Sequence, residues 1–231
     1  MTTPTAPTTI DPATIEAITF DCYGTLIDWD AGVRAYVTPI LASSAHGDVT
    51  PEAWVARWEH IQFQMLRPYR PYREILQRSY DATMQYFGLE AFVDAGAGLA
   101  RSIADWQPFP DTRRALRRLA RRHQLAIVSN IDRDLLADSV GWLQAPFSCL
   151  VTAEDARAYK PDPKPLELAI ARLGVAPGAI LHAAFGWKYD LSPARALGMR
   201  TCVINRGGVT VEEPRDLEVP SLDALADALG A

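Results

Sequence analysis

The sequence predicts an α/β protein in which helices cover both faces of a parallel sheet. Short, continuous apolar runs alternate with helical patterns, which is typical of parallel strands buried on both faces. Strand-like runs disappear between Asp30 and about Trp106, where only helical segments follow. The sheet-forming part of the chain is therefore interrupted once, by a helical insertion after the first strand.

The first strand is predicted over Ala17–Phe20, because a short apolar run there ends at Asp21 and a glycine-containing loop. Runs of the same form lie at 125–128, 179–184 and 201–205, with a weaker one at 148–152. Helical patterns between and after these runs lie at 111–122, 132–141, 164–173, 191–198 and 221–229. This alternation predicts the α/β core.

The insertion is predicted to contain helices at 31–43, 51–67, 71–87 and 90–105. In its second helix, apolar residues recur at helical spacing and form one face; these are Trp54, Trp58, Ile61 and Met65. We therefore divide the chain into a flexible polar leader (1–15), an α/β core domain (16–30 and 106–231) and a helical domain (31–105).

Charge and composition exclude several classes of function. The 231 residues contain 23 Lys and Arg against 28 Asp and Glu, for a net charge of −5, which argues against binding to nucleic acid or to an anionic membrane. The most basic stretch is predicted to be a solvated helix face, with its arginines at Arg113, Arg114, Arg117, Arg118, Arg121 and Arg122.

The sequence also predicts a cytoplasmic protein. No run approaches the roughly 18 apolar residues of a membrane span, and the first residues lack the basic and apolar pattern of a secretory signal. Cys22, Cys149 and Cys202 have neither the number expected of a disulfide framework nor metal-site spacing. A homodimer is compatible with the sequence, which does not determine the oligomeric state.

Polar residues follow the predicted strands, where open parallel sheets bind their ligands. Asp21 follows the first strand and is the natural nucleophile, because a carboxylate there can form an ester that water later cleaves. Lys160 can hold Asp21 ionised, and Asp190 can position Lys160 or help to activate water. Ser129 and Asn130 end another strand, where they can belong to the site or cap the next helix.

Four segments resemble the motifs of the haloacid dehalogenase (HAD) superfamily, in that family's order. They are Phe20-Asp21-Cys22-Tyr23-Gly24-Thr25-Leu26, Ile127-Val128-Ser129-Asn130, Tyr159-Lys160-Pro161-Asp162, and Tyr189-Asp190 with Ala194 and Gly198. The resemblance implies a HAD-like Rossmannoid core, with the insertion at 31–105 as the helical cap.

The first motif is similar to that of the (S)-2-haloacid dehalogenases within this superfamily. Phosphatases of the superfamily carry a second Asp where this sequence has Tyr23, and that Asp serves as general acid and supports Mg²⁺. The form Asp-x-Tyr-Gly-Thr-Leu belongs instead to dehalogenases that need no metal. Segments Thr201–Arg206 and Arg57–Arg67 also resemble that subfamily. The resemblance therefore implies neither a metal nor another cofactor.

The resemblance implies a covalent mechanism on a small carboxylic acid. Asp21 attacks C2 of a 2-haloalkanoate and releases halide, and water then cleaves the ester to give a 2-hydroxy acid of inverted configuration. Thr25 and Lys160 fix Asp21, while Asp190 orients Lys160 and water.

Substrate binding is likewise implied for a set of residues from both domains. The N–H groups of Cys22 and Tyr23 bind the substrate carboxylate together with Ser129. Arg57 faces the halide, with Asn130 nearby. Beyond what the resemblance implies, Phe63 of the cap and Trp187, which lies where the sequence departs from the family, are predicted to line the pocket. Arg57 could instead be a solvated residue of the cap, and Trp187 and Phe185 could pack beneath the loop.

The sequence departs from the subfamily near the fourth motif. A Ser and an Asn that usually precede its Asp are replaced by the apolar stretch 183–189, which is one residue longer, and Leu166 stands where a Tyr is usual. These changes leave open a related substrate such as L-azetidine-2-carboxylate. His182 in this region is interpreted as a satisfied core histidine.

Two further classes of function remain as alternatives. A HAD phosphatase would require Mg²⁺ and would turn over a phosphomonoester faster than any 2-haloacid. A non-catalytic binding protein would have no need for a buried set of charges at Asp21, Lys160 and Asp190, which is expensive to desolvate.

Overall fold

The computed structural model describes residues 10–44, 48–92 and 94–231. Residues 1–9 of the predicted leader (1–15) lie outside the described residues. Within its last part, Pro12–Thr14 forms a short 3₁₀ helix, and Ile15 is buried. The buried core of the described chain therefore includes Ile15, the last residue of the predicted leader.

Six strands form one parallel sheet in the order β3-β2-β1-β4-β5-β6. They are β1 Ala17–Phe20, β2 Gln124–Ser129, β3 Cys149–Thr152, β4 Ile180–Ala184, β5 Arg200–Ile204 and β6 Leu217–Val219. The first five agree with the predicted strands to within one residue. Strand β6 was not predicted, because its three residues include Glu218 and form no apolar run.

The described residues include ten α-helices. They are α1 Trp29–Ala42, α2 Pro51–Gln64, α3 Tyr72–Tyr86, α4 Ala95–Ser102, α5 Thr112–Leu119, α6 Arg133–Leu143, α7 Ala153–Ala156, α8 Lys164–Leu173, α9 Ser192–Ala196 and α10 Leu222–Ala228. Pro177–Ala179 and Ile103–Asp105 form 3₁₀ helices, and Trp187–Leu191 forms a π-helical turn. The predicted α/β class is confirmed.

The chain packs as two compact units. Among the described residues, the sheet unit comprises 10–27, 108–130 and 143–231, and the helical unit comprises those within 28–107 together with Ile131–Trp142. The sequence analysis placed 132–141 in the core domain. In the structure, the Asp132 carboxylate instead accepts the backbone N–H groups of Tyr72 (2.8 Å) and Arg73 (2.9 Å), where α3 begins. These bonds satisfy helix N-terminal donors and tie this segment to the helical unit.

Aromatic side chains form the core of the helical unit. Trp54 and Trp58 of α2 are fully buried, with ring centroids 6.2 Å apart, and Tyr80 of α3 packs 5.6 Å from Trp54. The Trp58 indole N–H donates to the Ser79 hydroxyl at 2.9 Å. The apolar face predicted for α2 is therefore buried at these positions, whereas Ile61 and Met65 remain half-buried.

The first four arginines of the basic stretch lie on α5, which ends at Leu119 before Arg121 and Arg122, and two of them pair with acidic residues of α10. Arg114 Nε donates to Asp223 at 3.1 Å, and Arg118 Nη2 donates to Asp227 at 2.6 Å. Such exposed pairs contribute little to stability. In the described part of the chain, no helix is both long and apolar enough to cross a membrane.

Leu166 of α8 is a central core residue of the sheet unit. Its side chain is fully buried in a cluster with Ala126, Val128 and Val151. The position where the subfamily that the sequence resembles usually carries a Tyr is therefore an apolar packing position in this chain.

Truncation at this position should be costly. Leu166→Ala should lower the free energy of unfolding by roughly 2–5 kcal/mol, because it removes buried methyl groups and leaves a cavity. Leu166→Met, which conserves volume, should cost less than about 1.5 kcal/mol. Urea denaturation followed by circular dichroism measures both changes. Equal costs for the two variants would contradict the assignment of Leu166 to a tightly packed core.

Candidate active site

The candidate site lies at the carboxyl end of the sheet. Strand β1 is central and pairs with β2 and β4, so that Phe20 lies opposite Ile127 and Ala183. Asp21 follows Phe20, and its N–H donates to the Ala183 carbonyl at 3.2 Å. The last ladder interactions of β1 thus fix the backbone that carries the predicted nucleophile.

Lys160 joins the two predicted catalytic carboxylates. Its Nζ donates to Asp21 Oδ1 at 2.9 Å, to the Val128 carbonyl at 2.7 Å and, by a very short contact, to Asp190 Oδ1. An ammonium has three N–H donors, and all three are used. Lys160 is 1% exposed, so this ion-paired cluster is almost wholly removed from water.

Burial and charge move the pKa values of the cluster in different directions. Burial raises the pKa of Asp21, with a further rise from the negative charge of Asp190, against the opposing pull of Lys160. Burial alone would also raise the pKa of Asp190, but the Lys160 ammonium and the His182 N–H hold it below its ordinary value. Burial would lower the pKa of Lys160, yet the two carboxylates raise it. Lys160 and Asp190 therefore stay charged at neutral pH.

Asn130 positions the backbone of Lys160. Its side-chain carbonyl accepts the Lys160 N–H at 2.7 Å, and its amide donates to the Lys160 carbonyl at 3.0 Å. The structure thus places the Asn130 amide on the loop that carries the lysine. Its predicted contact with the substrate stays a prediction.

Thr25 contacts the second oxygen of the nucleophile. Its hydroxyl donates to Asp21 Oδ2 at 3.3 Å and accepts the N–H of Phe185 at 3.3 Å. The Thr25 carbonyl in turn accepts from Arg206 Nη2 at 3.1 Å, and Arg206 also pairs with Asp111 at 3.0 Å. The sequence analysis did not assign a site role to Arg206, although its place just after β5, at the same edge of the sheet, was a usable signal.

The loop after the nucleophile is tightly folded. The Cys22 carbonyl accepts the N–H groups of Leu26 (2.7 Å) and Ile27 (2.9 Å). Gly24 has a φ of +95°, and a Cβ atom there would lie 2.5 Å from the Phe185 ring. Glycine is therefore required at this position both by backbone conformation and by the close approach of the ring.

Cys22 is fully buried, and burial raises the pKa of its thiol well above the ordinary value. A thiol in this state is unreactive, because the thiolate is the nucleophilic form. The structure therefore gives no support to a role for the Cys22 thiol, and the prediction for this residue concerns its backbone N–H. Tyr23 is half-buried beside it. Substrate binding by the N–H groups of these two residues stays a prediction.

The π-helical turn at Trp187–Leu191 carries Asp190. The Leu191 N–H donates to the Gly186 carbonyl at 3.3 Å, a bond that spans five residues and accommodates one more residue than an α-turn. The turn thus has room for the extra residue noted in the sequence while Asp190 still reaches Lys160. π-turns of this kind often occur at functional sites.

The two aromatic residues near this turn differ in exposure. Trp187 is half-buried and packs against the apolar cluster of Ala184, Leu191 and Val203. Phe185 is 45% exposed beside the nucleophile loop. These contacts give Trp187 a packing role, and its predicted contact with the substrate stays a prediction.

His182 belongs to the same network, which the sequence analysis did not foresee. Its ring is fully buried on β4, with Nδ1 2.8 Å from the Thr19 hydroxyl and Nε2 3.4 Å from Asp190 Oδ1. The interpretation as a satisfied core histidine describes its burial but omits the contact with Asp190. A histidine within an otherwise apolar strand was the signal available in the sequence.

Ser129, Arg57 and Phe63 are the remaining predicted residues, and each is described within its own unit. Ser129 is buried at the end of β2, opposite Thr152 of β3. Arg57 and Phe63 belong to α2 of the helical unit. The Arg57 guanidinium lies 3.7 Å from the centre of the Tyr86 ring and donates to its hydroxyl at 2.6 Å. Roles for these three residues in substrate binding stay predictions.

The residues of the site do not fit Mg²⁺, the metal that superfamily phosphatases require. Both buried carboxylates are bonded to the Lys160 ammonium, and Tyr23 replaces a carboxylate ligand. Among the residues that the structure describes, no group of three or more His, Cys, Asp or Glu side chains is arranged to hold a metal ion.

The chain is similar to known proteins along nearly its whole length. A family model described as haloacid dehalogenase-like hydrolase matches residues 15–198. Haloacetate dehalogenase H-2 of Moraxella sp. (strain B) is 31% identical over 221 residues, which cover 91% of this chain and 96% of the relative. The (S)-2-haloacid dehalogenase of Pseudomonas sp. (strain YL) is 30% identical over 224 residues, with 92% and 94% coverage.

Solved structures share the fold. The L-2-haloacid dehalogenase from Xanthobacter autotrophicus aligns with a TM-score of 0.80 at 22% identity, over 94% of this chain and 99% of that one. The same enzyme has also been solved with chloropropionic acid covalently bound. The solved structures share the fold, and the family model together with the two relatives shows that the chain is a hydrolase that belongs to the haloacid dehalogenase-like family.

Proposed function

We propose that this protein hydrolyses the carbon–halogen bond at C2 of small 2-haloalkanoates through an ester on Asp21, without a metal. The observation that carries the proposal is the buried Lys160 ammonium held between Asp21 and Asp190. The names of the two curated relatives support halogenated acetate and (S)-2-haloacids as the substrate class.

In the first step, a carboxylate oxygen of Asp21 forms a bond to C2 as the carbon–halogen bond breaks, and the halide leaves with the bonding electron pair. Lys160 and Thr25 hold the Asp21 carboxylate in place for this attack. An anionic nucleophile and an anionic substrate repel each other, so the step needs compensating charge and N–H donors. Lys160 offsets part of this charge, while the N–H groups of Cys22 and Tyr23 and the hydroxyl of Ser129 are proposed to bind the substrate carboxylate.

In the second step, a water oxygen bonds to Cγ of the Asp21 ester and one of its protons passes to Asp190. The bond between Cγ and the ester oxygen that bridges to C2, originally an Asp21 oxygen, then breaks, and that oxygen takes the proton from Asp190 to become the hydroxyl of the product. The products are a 2-hydroxy acid and the Asp21 carboxyl group, which loses its remaining proton to solvent. The covalently bound chloropropionic acid in the Xanthobacter relative supports an intermediate of this kind.

Halide release from a panel of substrates tests the reaction class. Purified protein should release halide from haloacetates or (S)-2-halopropionates, and EDTA should leave the rate unchanged because the site lacks a set of hard oxygen ligands. Ion chromatography measures the halide, with the Asp21→Asn variant as the blank. The panel includes L-azetidine-2-carboxylate and a phosphomonoester. Strict Mg²⁺ dependence, or a phosphomonoester turned over faster than any 2-haloacid, would assign the chain to the phosphatases, and no turnover would favour a binding protein.

Loss of the nucleophile should abolish turnover. Asp21→Asn should lower kcat at least about 10⁴-fold, because an amide cannot form the ester. A single turnover of the wild-type protein in H₂¹⁸O should place the label in Asp21, as read by mass spectrometry of its peptide. Label found only in the 2-hydroxy acid would mean that water attacks the substrate directly.

Arg57 is proposed to assist departure of the halide, as the resemblance to dehalogenases implies. Arg57→Ala should suppress the rapid first release of halide on mixing with excess substrate, because a guanidinium no longer offsets the departing charge. Tyr86→Phe is the matched control, since it removes the hydroxyl partner of Arg57 and keeps the cation. Stopped-flow with a halide indicator measures this first phase, and a first release in Arg57→Ala as rapid and as large as in wild type would exclude this role.

A further inference from the structure

We infer that His182 is a positioning residue for hydrolysis of the ester, acting through Asp190. The inference rests on the ester intermediate of the proposed function and goes beyond it, because it gives a role to a residue outside the predicted site. Its basis is a continuous chain of contacts from Thr19 through His182 and Asp190 to Lys160.

The partners of the ring decide which nitrogen carries the proton. Asp190 is ionised and can only accept hydrogen bonds, so Nε2 of His182 must carry a proton to bond with it. In the neutral ring Nδ1 is then an acceptor, and the Thr19 hydroxyl, 2.8 Å away, can donate to it. Thr19 thereby fixes both the tautomer and the orientation of the ring.

The geometry at Asp190 leaves its two oxygens with different tasks. Oδ1 receives both the Lys160 ammonium and the His182 N–H, whereas Oδ2 lies on the side of Gly186. A Cβ atom at Gly186 would lie 3.3 Å from Oδ2. Two donors on Oδ1 restrict rotation of the carboxylate, and Oδ2 is the oxygen left to take the proton from water in the proposed second step.

The groups around Asp190 explain why the His182 N–H matters to this carboxylate. The charged and titratable groups that face it are Lys160 from the loop before α8, Asp21 from the end of β1 and His182 from β4. From β5, the turn that carries Asp190 packs on the apolar Val203. Lys160 is shared between two carboxylates, whereas the His182 N–H donates to Asp190 and makes no hydrogen bond to Asp21 among the contacts described above.

Two amide substitutions, His182→Asn and His182→Gln, allow the contacts of the ring with Thr19 and Asp190 to be tested separately. The terminal amide of Asn lies near the position of Nδ1, so His182→Asn can bond with Thr19 but cannot reach Asp190. The longer Gln places its amide near the position of Nε2, so His182→Gln can donate to Asp190. The two variants differ chiefly in the contact that the inference concerns.

The experiment follows both steps in a single turnover, with excess protein over 2-bromopropionate or bromoacetate. In His182→Asn, halide release should stay within about twofold of wild type, while formation of the 2-hydroxy acid slows roughly 10- to 100-fold. The pH at which ester hydrolysis falls off on the acid side should rise, because a lost N–H donor raises the pKa of Asp190. His182→Gln should restore both quantities towards wild type.

Three results would overturn the inference. They are equal loss of both steps in His182→Asn, identical behaviour of the Asn and Gln variants, and an acid limb that does not move. Thr19→Val, which keeps the histidine and is close in shape to threonine, provides a second test if His182→Asn does not fold. It should slow ester hydrolysis and spare halide release, and wild-type rates in this variant would also contradict the inference. Absence of halide release or of an ester in the wild-type protein would instead refute the proposed function itself.

Discussion

A single buried ammonium organises the functional end of the sheet. Lys160 is almost wholly excluded from water and donates to two carboxylates and a backbone carbonyl. A buried cation without such partners would be prohibitively costly to desolvate, and the same holds for each carboxylate. The three charges therefore have to occur together. Because Asp21, Lys160 and Asp190 come from distant parts of the chain, their pairing also requires the β1 end, the loop before α8 and the π-turn to be correctly placed.

Hydrogen bonds from neighbouring residues hold the three charged side chains in position. Asn130 bonds to both backbone groups of Lys160, and Thr25 contacts the free side of Asp21. Arg206 bonds to the carbonyl of Thr25, so that β5 supports the nucleophile loop. These supporting groups are neutral or lie at the margin of the site, which leaves the balance of charge at the centre to one lysine and two aspartates. A site of this kind can stabilise an anionic nucleophile and still admit an anionic substrate.

In the fourth-motif region, a π-helical turn accommodates the extra residue by which this sequence differs from the subfamily. The longer, apolar stretch forms a π-turn, in which Asp190 still reaches Lys160. Trp187 packs on the cluster formed by Ala184, Leu191 and Val203. Polar groups that related dehalogenases carry there are missing, yet the buried His182 approaches the same carboxylate from β4. Polar support for Asp190 thus comes from within the sheet.

The sequence by itself determined the α/β class, five of the six strands and the order of the motifs, because buried parallel strands leave continuous apolar runs and their ends carry the reactive residues. It also indicated Asp21, Lys160 and Asp190 as candidate catalytic residues, and in the structure hydrogen bonds from Lys160 connect the two carboxylates. Only the tertiary structure revealed β6, whose three residues lack a pattern, and the packing of Asp132 with the helical unit. The contacts of His182, Asn130 and Arg206 were likewise decided in three dimensions. Each depends on partners far away in the sequence, and side-chain pairings of that kind leave no periodic signal along the chain.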